Sequence, residues 1–595
     1  MIMDNFCSKL QKLTCRLFGA VIFLLPLKFG AMLLPGVPQR YPDSVMGWLV
    51  TTLPPAFFCI VAGCLLIMSL AAFGAGAVSW KSASGRLLLL FLLLPLAALL
   101  GFINADGWEY AIIELEYLFG LSAFAGSTAI ILGSTDLLWH KKFLNVFVAS
   151  VLTTAVVGWY QYFCGFDDLK NFIEMQEKVY NIKIPDDLKA RALDVRTYAT
   201  FTFASAFAGF LLLSGALSVL RAYAWGRLFE PVKLSQRLFF LLALLLCGGI
   251  FLTTRGRSAF LAAIVAAAVC GLILIKKRKV QIILIAGALL AITAGAFYIH
   301  YAGRGFGSMT ERVGYLQTSF KMLIEHPFCG GGWGDFSYAH ALNKSFGNQE
   351  LAKDPHNIVA AFASQTGFVG GLLTAMILLY VLYLAYRRIK LCCGVEAVAV
   401  FGSICAFSLH MLMDLDWQVP GLMACYIFLA FCCARTIDDA NKAVCCRNPR
   451  SAAAAMIFFC IAACLGAVHW SMAEQSFGNM LAAAGQEAGV YSQPQSFYEV
   501  DAAAEKALKI APYSHSIYNA WAKDKMYRRD LVRAEELFLK ALEYAPRSHA
   551  ITKSLSELYS LRGDVKKAQE YEIKSDKLFP YRKIFFSKER GLKNE

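Results

Sequence analysis

The chain has 595 residues, of which 58% are hydrophobic and only 17% are charged, and its mean hydropathy is +0.52. This composition excludes an ordinary soluble protein and indicates a polytopic membrane protein. The formal net charge of +15 does not indicate nucleic-acid binding, because the lysines and arginines lie in small clusters between apolar segments. The 18 cysteines show no CxxC spacing typical of a zinc or redox site.

Apolar segments long enough to cross a ~30 Å hydrocarbon core recur throughout residues 1–470. We therefore expect an all-α transmembrane domain of about twelve or thirteen helices over this range. The predicted spans are roughly 16–35, 52–75, 86–103, 112–133, 144–164, 197–220, 237–254, 258–275, 280–301, 357–386, 395–413, 417–435 and 452–470.

Basic residues gather in alternate short loops, whereas the short loops around 104–107 and 414–417 carry none. The cluster Lys276-Lys277-Arg278-Lys279 is the densest example. By the positive-inside rule this asymmetry predicts a cytoplasmic N-terminus. It places the long loop 302–356 and everything after Trp470 on the opposite face of the membrane.

The C-terminal part is charged and rich in alanine and leucine, and it contains an internal repeat. Ala507-Leu508-Lys509-Ile510-Ala511-Pro512 recurs as Ala541-Leu542-Glu543-Tyr544-Ala545-Pro546, and the prolines Pro512, Pro546 and Pro580 are evenly spaced. This period resembles that of tetratricopeptide (TPR) repeats, in which helix pairs stack to bury their apolar faces. We expect a linker at 471–497, a soluble TPR-like helical domain at 498–582 and a short tail at 583–595; a generic helical hairpin is the alternative.

The long loop 302–356 contains the strongest candidates for catalytic and substrate-binding residues. Val313, Leu316 and Phe320 have the spacing of an amphipathic helix, which we expect along the outer membrane surface. A glycine-rich run follows, with Gly330 and Gly332, whose backbone amides could approach an anionic ligand closely. We expect this run to be flexible.

The loop ends at Asp354-Pro355-His356-Asn357, which reads as a helix start. His356 is expected in the first turn of the next span, at the outer membrane boundary. A neutral imidazole there can accept a proton from an attacking hydroxyl, and the positive end of the helix favours the neutral form. A lone histidine at a helix start is also typical of a structural hydrogen bond.

The combination His356-Asn357-x9-Gly367-x-x-Gly370 resembles the signature of the bacterial O-antigen ligase family, relatives of the O-antigen polymerases. Two upstream segments are similar to further motifs of the family. These are Arg312 followed by His326-Pro327-Phe328-x-Gly330-x-Gly332, and Arg255-Gly256-Arg257-Ser258-Ala259. Together the motifs cover roughly residues 195–420.

The resemblance implies transfer of a glycan from an undecaprenyl diphosphate carrier to an acceptor, at the periplasmic face of the bacterial inner membrane. It implies His356 as the catalytic base and Arg257 and Arg312 as the catalytic arginines that hold the diphosphate. Arg255 is a further candidate for the diphosphate, because Gly256 stands where the family often has serine. Arginines at helix ends are also typical of contacts with lipid head groups. Asn357, Gly330 and Gly332 are predicted to bind substrate.

The resemblance also implies a metal-independent reaction without a cofactor, since the diphosphate linkage supplies the driving force. The expected partners are the lipid-linked glycan donor, membrane lipid, and lipid A core, glycan or protein as acceptor. The repeats suggest a further protein partner, and nucleic acid is not expected.

Other ionisable groups lie near the outer ends of predicted spans. Glu114 and Glu116 are predicted to orient an acceptor or to pair with other side chains. His410, Asp414 and Asp416 form His-x3-Asp-x-Asp, which is weak evidence for a metal. We therefore predict that Asp414 and Asp416 line the substrate pocket.

Three functions remain open within this family: an O-antigen ligase, an O-antigen polymerase and a protein O-oligosaccharyltransferase. They differ only in the acceptor, which the sequence does not identify. Alternatives from another class are a polysaccharide transporter or flippase and a non-catalytic assembly scaffold. Against a transporter, we find no repeated halves with interrupted spans.

Overall fold

The computed structural model describes residues 2–39, 41–76, 78–178, 189, 194–301, 307–344, 351–392, 394–441, 449–484, 486–487, 490–491 and 497–581. Over these ranges the chain is a polytopic helical membrane protein, as the sequence predicts. The described strands are a two-residue antiparallel pair, in which Gln486–Glu487 faces Val490–Tyr491.

The helices of the N-terminal half are α1 (Ile2–Lys28), α2 (Val45–Val50), α3 (Pro55–Phe73), α4 (Ala83–Gly101), α5 (Trp108–Ser134), α6 (Leu137–Tyr160), α7 (Phe166–Lys178), α8 (Ala204–Trp225), α9 (Val232–Leu244), α10 (Ile250–Thr253), α11 (Arg257–Leu274) and α12 (Arg278–Tyr301). Those of the next part are α13 (Gly307–Glu325), α14 (Phe336–Asn343), α15 (Ile358–Cys392), α16 (Val395–Met411), α17 (Pro420–Ala440) and α18 (Pro449–Ala483). The last group comprises α19 (Phe497–Ile510), α20 (His515–Tyr527), α21 (Leu531–Tyr544), α22 (His549–Arg562) and α23 (Val565–Leu578).

Eleven helices in the described part of the chain are long and apolar enough to cross a membrane. All thirteen predicted spans fall on helices, because long apolar runs have few alternatives in a bilayer. Two helices that coincide with predicted spans are not among these eleven. They are α12 and α16, and α16 has only 17 residues. Helices α5 and α17 are the most deeply buried spans and form the centre of the bundle.

Polar contacts tie the helices together at the end of the bundle that carries the basic loops. Asp438, near the end of α17, accepts hydrogen bonds from the backbone amides of Ala83 and Ser84 at the start of α4. Arg221, near the end of α8, lies 3.1 Å from Glu396 at the start of α16. The described parts of the segment 302–356, which are residues 307–344 and 351–356, lie at the opposite end.

The glycine-rich run lies at this opposite end and is packed, in contrast to the expected flexible run, because residues 330–336 are buried. Gly330 has a φ of +72°, and a Cβ there would stand 2.1 Å from the carbonyl carbon of Gln365. Gly367 has a φ of +77° and kinks α15, and a Cβ there would meet the carbonyl of Phe328. The two glycines let the loop and the kinked helix approach each other backbone to backbone.

The C-terminal helices form two hairpins, α20 with α21 and α22 with α23. Their caps repeat along the chain. Ser514 and Ser548, 34 residues apart, cap the first helix of each hairpin, and Asp530 and Asp564, also 34 residues apart, cap the second. The preceding α19 packs on α18, so the last span continues into the helical stack.

The stack of C-terminal helices docks on the end of the bundle that carries the long loop. Nη2 of Arg547 lies 2.8 Å from Oδ2 of Asp335, which is fully buried, and Arg547 also pairs with Asp106. Nδ1 of His515 lies 3.0 Å from Oε2 of Glu109 at the start of α5. The C-terminal helices are therefore part of the wall around the long loop.

Candidate active site

The turn between α16 and α17 carries a buried polar cluster around His410. Its Nδ1 is hydrogen-bonded to Oδ2 of Asp416, and its Nε2 lies 3.1 Å from Oγ of Ser258. A carboxylate only accepts hydrogen bonds, so Nδ1 carries the proton that it shares with Asp416. Burial raises the pKa of Asp416 to about 6, although the charge of His410 and its hydrogen bond oppose this rise.

Asp414 connects this cluster to the long loop. Its Oδ2 lies 3.3 Å from Nη2 of Arg312 on α13 and accepts a hydrogen bond from Ser205 on α8. Burial raises its pKa, but the charges of His410, Arg312 and His356 outweigh burial and lower it below the ordinary value. Asp414 is therefore ionised near neutral pH, and it fixes one edge of the Arg312 guanidinium.

Arg312 keeps hydrogen-bonding capacity beyond this pair. Its side chain is 30% exposed, and a guanidinium has five N–H donors, of which Asp414 engages one. Tyr315 lies one helical turn further along α13 and stacks on the ring of His356, with 5.2 Å between the ring centroids. Arg312 and His356 are thus brought to the same side of the bundle.

His356 lies two residues before α15, so the prediction that it occupies the first helical turn is wrong. The helix begins at Ile358, and Asn357 caps it by accepting a hydrogen bond from the amide of Ala360 at 2.9 Å. His356 itself has a φ of +58°, outside the helical region. Asn357 also donates to the carbonyl of Leu412 at 2.9 Å, which ties this cap to the α16–α17 turn.

The position of the His356 ring determines its tautomer. Nδ1 lies 3.1 Å from the backbone carbonyl oxygen of Asp354, which can only accept a hydrogen bond. Nδ1 of the neutral ring therefore carries the proton, and Nε2 carries the basic lone pair. This is the protonation pattern that a general base requires.

Asp354 is the residue that shapes this turn. Its Oδ1 accepts the amide of His356 at 2.8 Å, and its Oδ2 accepts the indole N–H of Trp417 at 3.2 Å. Burial raises the pKa of Asp354 to about 7, against the opposing effect of these two hydrogen bonds. Sequence reasoning treated Asp354 only as a helix-start signal, because its partner Trp417 lies 63 residues away.

The structure places Arg255 and Arg257 at the start of α11, on either side of Gly256, and both are exposed. Arg255 has a φ of +50° and lies 3.9 Å from Asp194. Arg257 directly precedes Ser258, which contacts His410. The backbone therefore brings Arg257 next to the cluster that holds Asp414, while the contacts of the two arginines with a diphosphate stay a prediction.

The glycine amides of the long loop are engaged within the protein. Gly330 donates to the carbonyl of His326 at 2.9 Å and Gly331 donates to that of Ser364 at 2.8 Å. An amide with such a partner is not available to an anion, which argues against the predicted ligand contact through Gly330. A ligand contact at Gly332 stays a prediction.

The structure thus brings together four predicted site residues: Arg312, His356, Asn357 and Asp414. Asp416 accepts a hydrogen bond from His410. Sequence reasoning missed the hydroxyls of Ser205 and Ser258 and the ring of Tyr315, because such residues are common in spans and no local pattern marks them. The two glutamates of α5 have different surroundings. Glu116 lies 3.5 Å from His469 on α18 and faces the C-terminal helices.

The fold and this cluster define a multi-pass membrane protein with a polar site at one end of the bundle, built from α8, α11, α13, α15 and the α16–α17 turn. Residues 242–375 match the model of the family described as O-antigen ligase. The match includes Arg255, Arg257, Arg312, His356 and Asn357, and the chain fits a membrane protein of that family. A search of curated proteins finds no match.

Members of the O-antigen ligase family are membrane ligases and polymerases of the glycosyltransferase type. The match therefore supports a role in membrane glycosyl transfer during O-antigen or polysaccharide assembly.

Proposed function

We propose that this protein transfers a glycan from an undecaprenyl diphosphate-linked donor to an acceptor hydroxyl, as an O-antigen ligase-type enzyme of cell-surface polysaccharide biosynthesis. One observation carries the proposal. Within the segment that matches the family, the ring of His356, whose tautomer makes Nε2 the basic nitrogen, stacks on Tyr315 one helical turn from Arg312, and the guanidinium of Arg312 is oriented by the ionised Asp414.

In the proposed reaction the acceptor oxygen forms a bond to C1 of the donor sugar while the bond from C1 to the diphosphate oxygen breaks. The electron pair of that bond leaves with the diphosphate, and the hydroxyl proton passes to Nε2 of His356. Direct attack inverts the anomeric centre. Arg312 and Arg257 stabilise the charge that develops on the leaving diphosphate, which is how preorganised cations lower such barriers.

The proposed location is the periplasmic face of the bacterial inner membrane. The clustered basic loops support a cytoplasmic position for the end of the bundle that carries Asp438 and Arg221. The site and the C-terminal helices then lie on the periplasmic side. A lipid-linked diphosphate can reach the site laterally from the membrane.

The C-terminal helices are proposed to form a TPR-like domain that recruits a protein partner. The 34-residue spacing of equivalent caps supports this proposal. Because these helices contact Asp335 and Glu109, a partner bound to them would lie beside the long loop.

The test is glycan transfer by the purified protein in nanodiscs with an undecaprenyl diphosphate oligosaccharide as donor. Lipid A core, a second lipid-linked oligosaccharide and a pilin-like protein are offered separately as acceptors. His356→Ala is compared with the wild type. His326→Ala is the matched control, because His326 is an exposed histidine of the same loop whose hydrogen bonds with other described residues are made by its backbone.

We expect transfer to one acceptor by the wild type and by His326→Ala. Loss of general-base catalysis in His356→Ala should lower the rate roughly 100- to 10,000-fold. Equal rates for wild type and His356→Ala would remove His356 from the mechanism. Absence of transfer by folded wild-type protein to all three acceptors would favour a scaffold or a transporter.

A further inference from the structure

A second feature of this end of the bundle is a partly open cavity that shares His356 with the candidate active site. We call it the α5 cavity. Its wall includes the segment 32–35, Tyr110 and Glu114 of α5, and Lys353, Asp354 and His356 of the long loop.

Glu114 is the unusual member of this wall. The residue is 6% exposed, and its Oε2 has no hydrogen-bond partner among the residues that the structure describes. A buried acceptor without a partner costs roughly 1–3 kcal/mol. A hydroxyl donor bound in the cavity would remove that cost, so the cavity has a built polar contact for a ligand.

The remaining polar groups of the wall are suited to a neutral polyol. The Lys353 ammonium lies 5.8 Å from the ring centroid of Tyr110 and donates to the carbonyl of Pro35 at 3.1 Å. Gln418 adds an amide and Ser337 adds a hydroxyl. Carboxylate, amide and ammonium groups next to an aromatic ring are the contacts that orient sugar hydroxyls.

The charges of the cavity make it a poor site for the donor diphosphate. Two carboxyl groups, Glu114 and Asp354, share the wall with one cation, Lys353. The arginine that serves a diphosphate, Arg312, lies on α13, on the side where Tyr315 stacks against the imidazole. The ring of His356 thus contacts Tyr315 and also lines the α5 cavity.

We propose that the α5 cavity is the acceptor subsite and that it binds an uncharged terminal sugar, with Glu114 accepting a hydrogen bond from a hydroxyl near the attacking one. Glu114 is a binding and positioning residue, and His356 receives the proton. This assignment rests on the proposed function and narrows it to a saccharide acceptor, because a cavity wall with several hydrogen-bonding groups suits a sugar with several hydroxyls better than a single side chain of a folded protein.

The experiment measures steady-state transfer with donor and acceptor varied separately for the wild type, Glu114→Gln and Glu116→Gln. Glu116→Gln is the matched control, because it makes the same change two residues along α5, outside the wall of the α5 cavity. Lys353→Met at the rim is a second variant of the cavity, in case Glu114→Gln fails to fold.

We expect Glu114→Gln to raise the KM for the acceptor roughly 10-fold, as for the loss of one hydrogen-bond acceptor when an amide nitrogen replaces a carboxyl oxygen, and to leave the KM for the donor unchanged. Lys353→Met should also raise the KM for the acceptor. Unchanged acceptor KM values in both variants, or transfer by the wild type to the protein acceptor alone, would overturn the subsite.

Hydrogen–deuterium exchange tests the acceptor subsite independently of glycan transfer. Lipid A core oligosaccharide is added to the protein without donor, and exchange is followed in the peptide that contains the start of α5. Protection in the wild type that is lost in Glu114→Gln supports the subsite even when no transfer occurs. A different result supports the proposed function but refutes the acceptor subsite. In that result His356→Ala abolishes transfer, the oligosaccharide does not protect α5 from exchange, and Glu114→Gln leaves the KM for the acceptor unchanged.

Discussion

The ion pair between Arg547 and Asp335 joins the C-terminal helices to the long loop, and its removal should loosen both. Asp335 is fully buried and accepts hydrogen bonds from the amides of Asp106 and Gly107 in addition to Arg547. Arg547→Ala leaves that carboxylate without its cation, although the two amides remain.

The expected loss of docking free energy depends on how far the two amides compensate for the missing cation. Removing one member of a buried ion pair typically costs 3–5 kcal/mol. Arg547 is 35% exposed and Asp335 keeps two amide donors, so we expect about 2 kcal/mol at this contact, or roughly a 30-fold larger opening equilibrium. Opening should expose the amides of Asp106 and Gly107.

Hydrogen–deuterium exchange of the peptide that contains these two amides measures the opening directly, since exchange under native conditions scales with the open population. Lys540→Ala is the control, because Lys540 pairs with Glu543 on an exposed face of α21. It should leave exchange in that peptide unchanged. An Arg547→Ala protein whose exchange matches that of the wild type would refute the reasoning.

Two further changes probe the same region. Burial raises the pKa of the Asp335 carboxyl in the docked protein to about 6, above its ordinary value, although Arg547 and the two amides oppose this rise. The docked state therefore binds the proton more tightly than the open state, in which the carboxyl is exposed, and this contribution to docking is complete below the ordinary pKa and is lost as the pH rises through about 6. Exchange near Asp335, corrected for its intrinsic rate, should therefore rise from about pH 4 to about pH 7 in the wild type and stay level in Asp335→Asn; equal pH profiles would contradict this linkage. Gly330→Ala should lower the melting temperature strongly, since its φ of +72° alone costs about 1–3 kcal/mol and the new Cβ meets Gln365. Gly287→Ala, which meets no heavy atom within 4 Å, should be neutral or stabilising, and a similar loss in both would disprove the packing argument.

The amino-acid sequence by itself determined the membrane fold of this protein. Long apolar runs, their spacing and the alternation of basic loops are local properties, and a bilayer leaves a helix as almost the only solution for each run. The evenly spaced prolines likewise indicated the period that recurs in the helix caps Ser514 and Ser548. The order of the His356, Arg312 and Arg257 motifs predicted the segment that matches the O-antigen ligase family.

Only the tertiary structure decided which polar groups meet. Arg312 pairs with Asp414 across 102 residues, and the cap of α15 is tied to Leu412 across 55, so no local pattern contains either contact. The structure also separates Glu114 from Glu116, because a helix directs residues two apart to different sides: one faces the α5 cavity and the other faces His469. The buried contact of Arg547 with Asp335 depends on how the C-terminal helices dock, which helical periodicity does not encode.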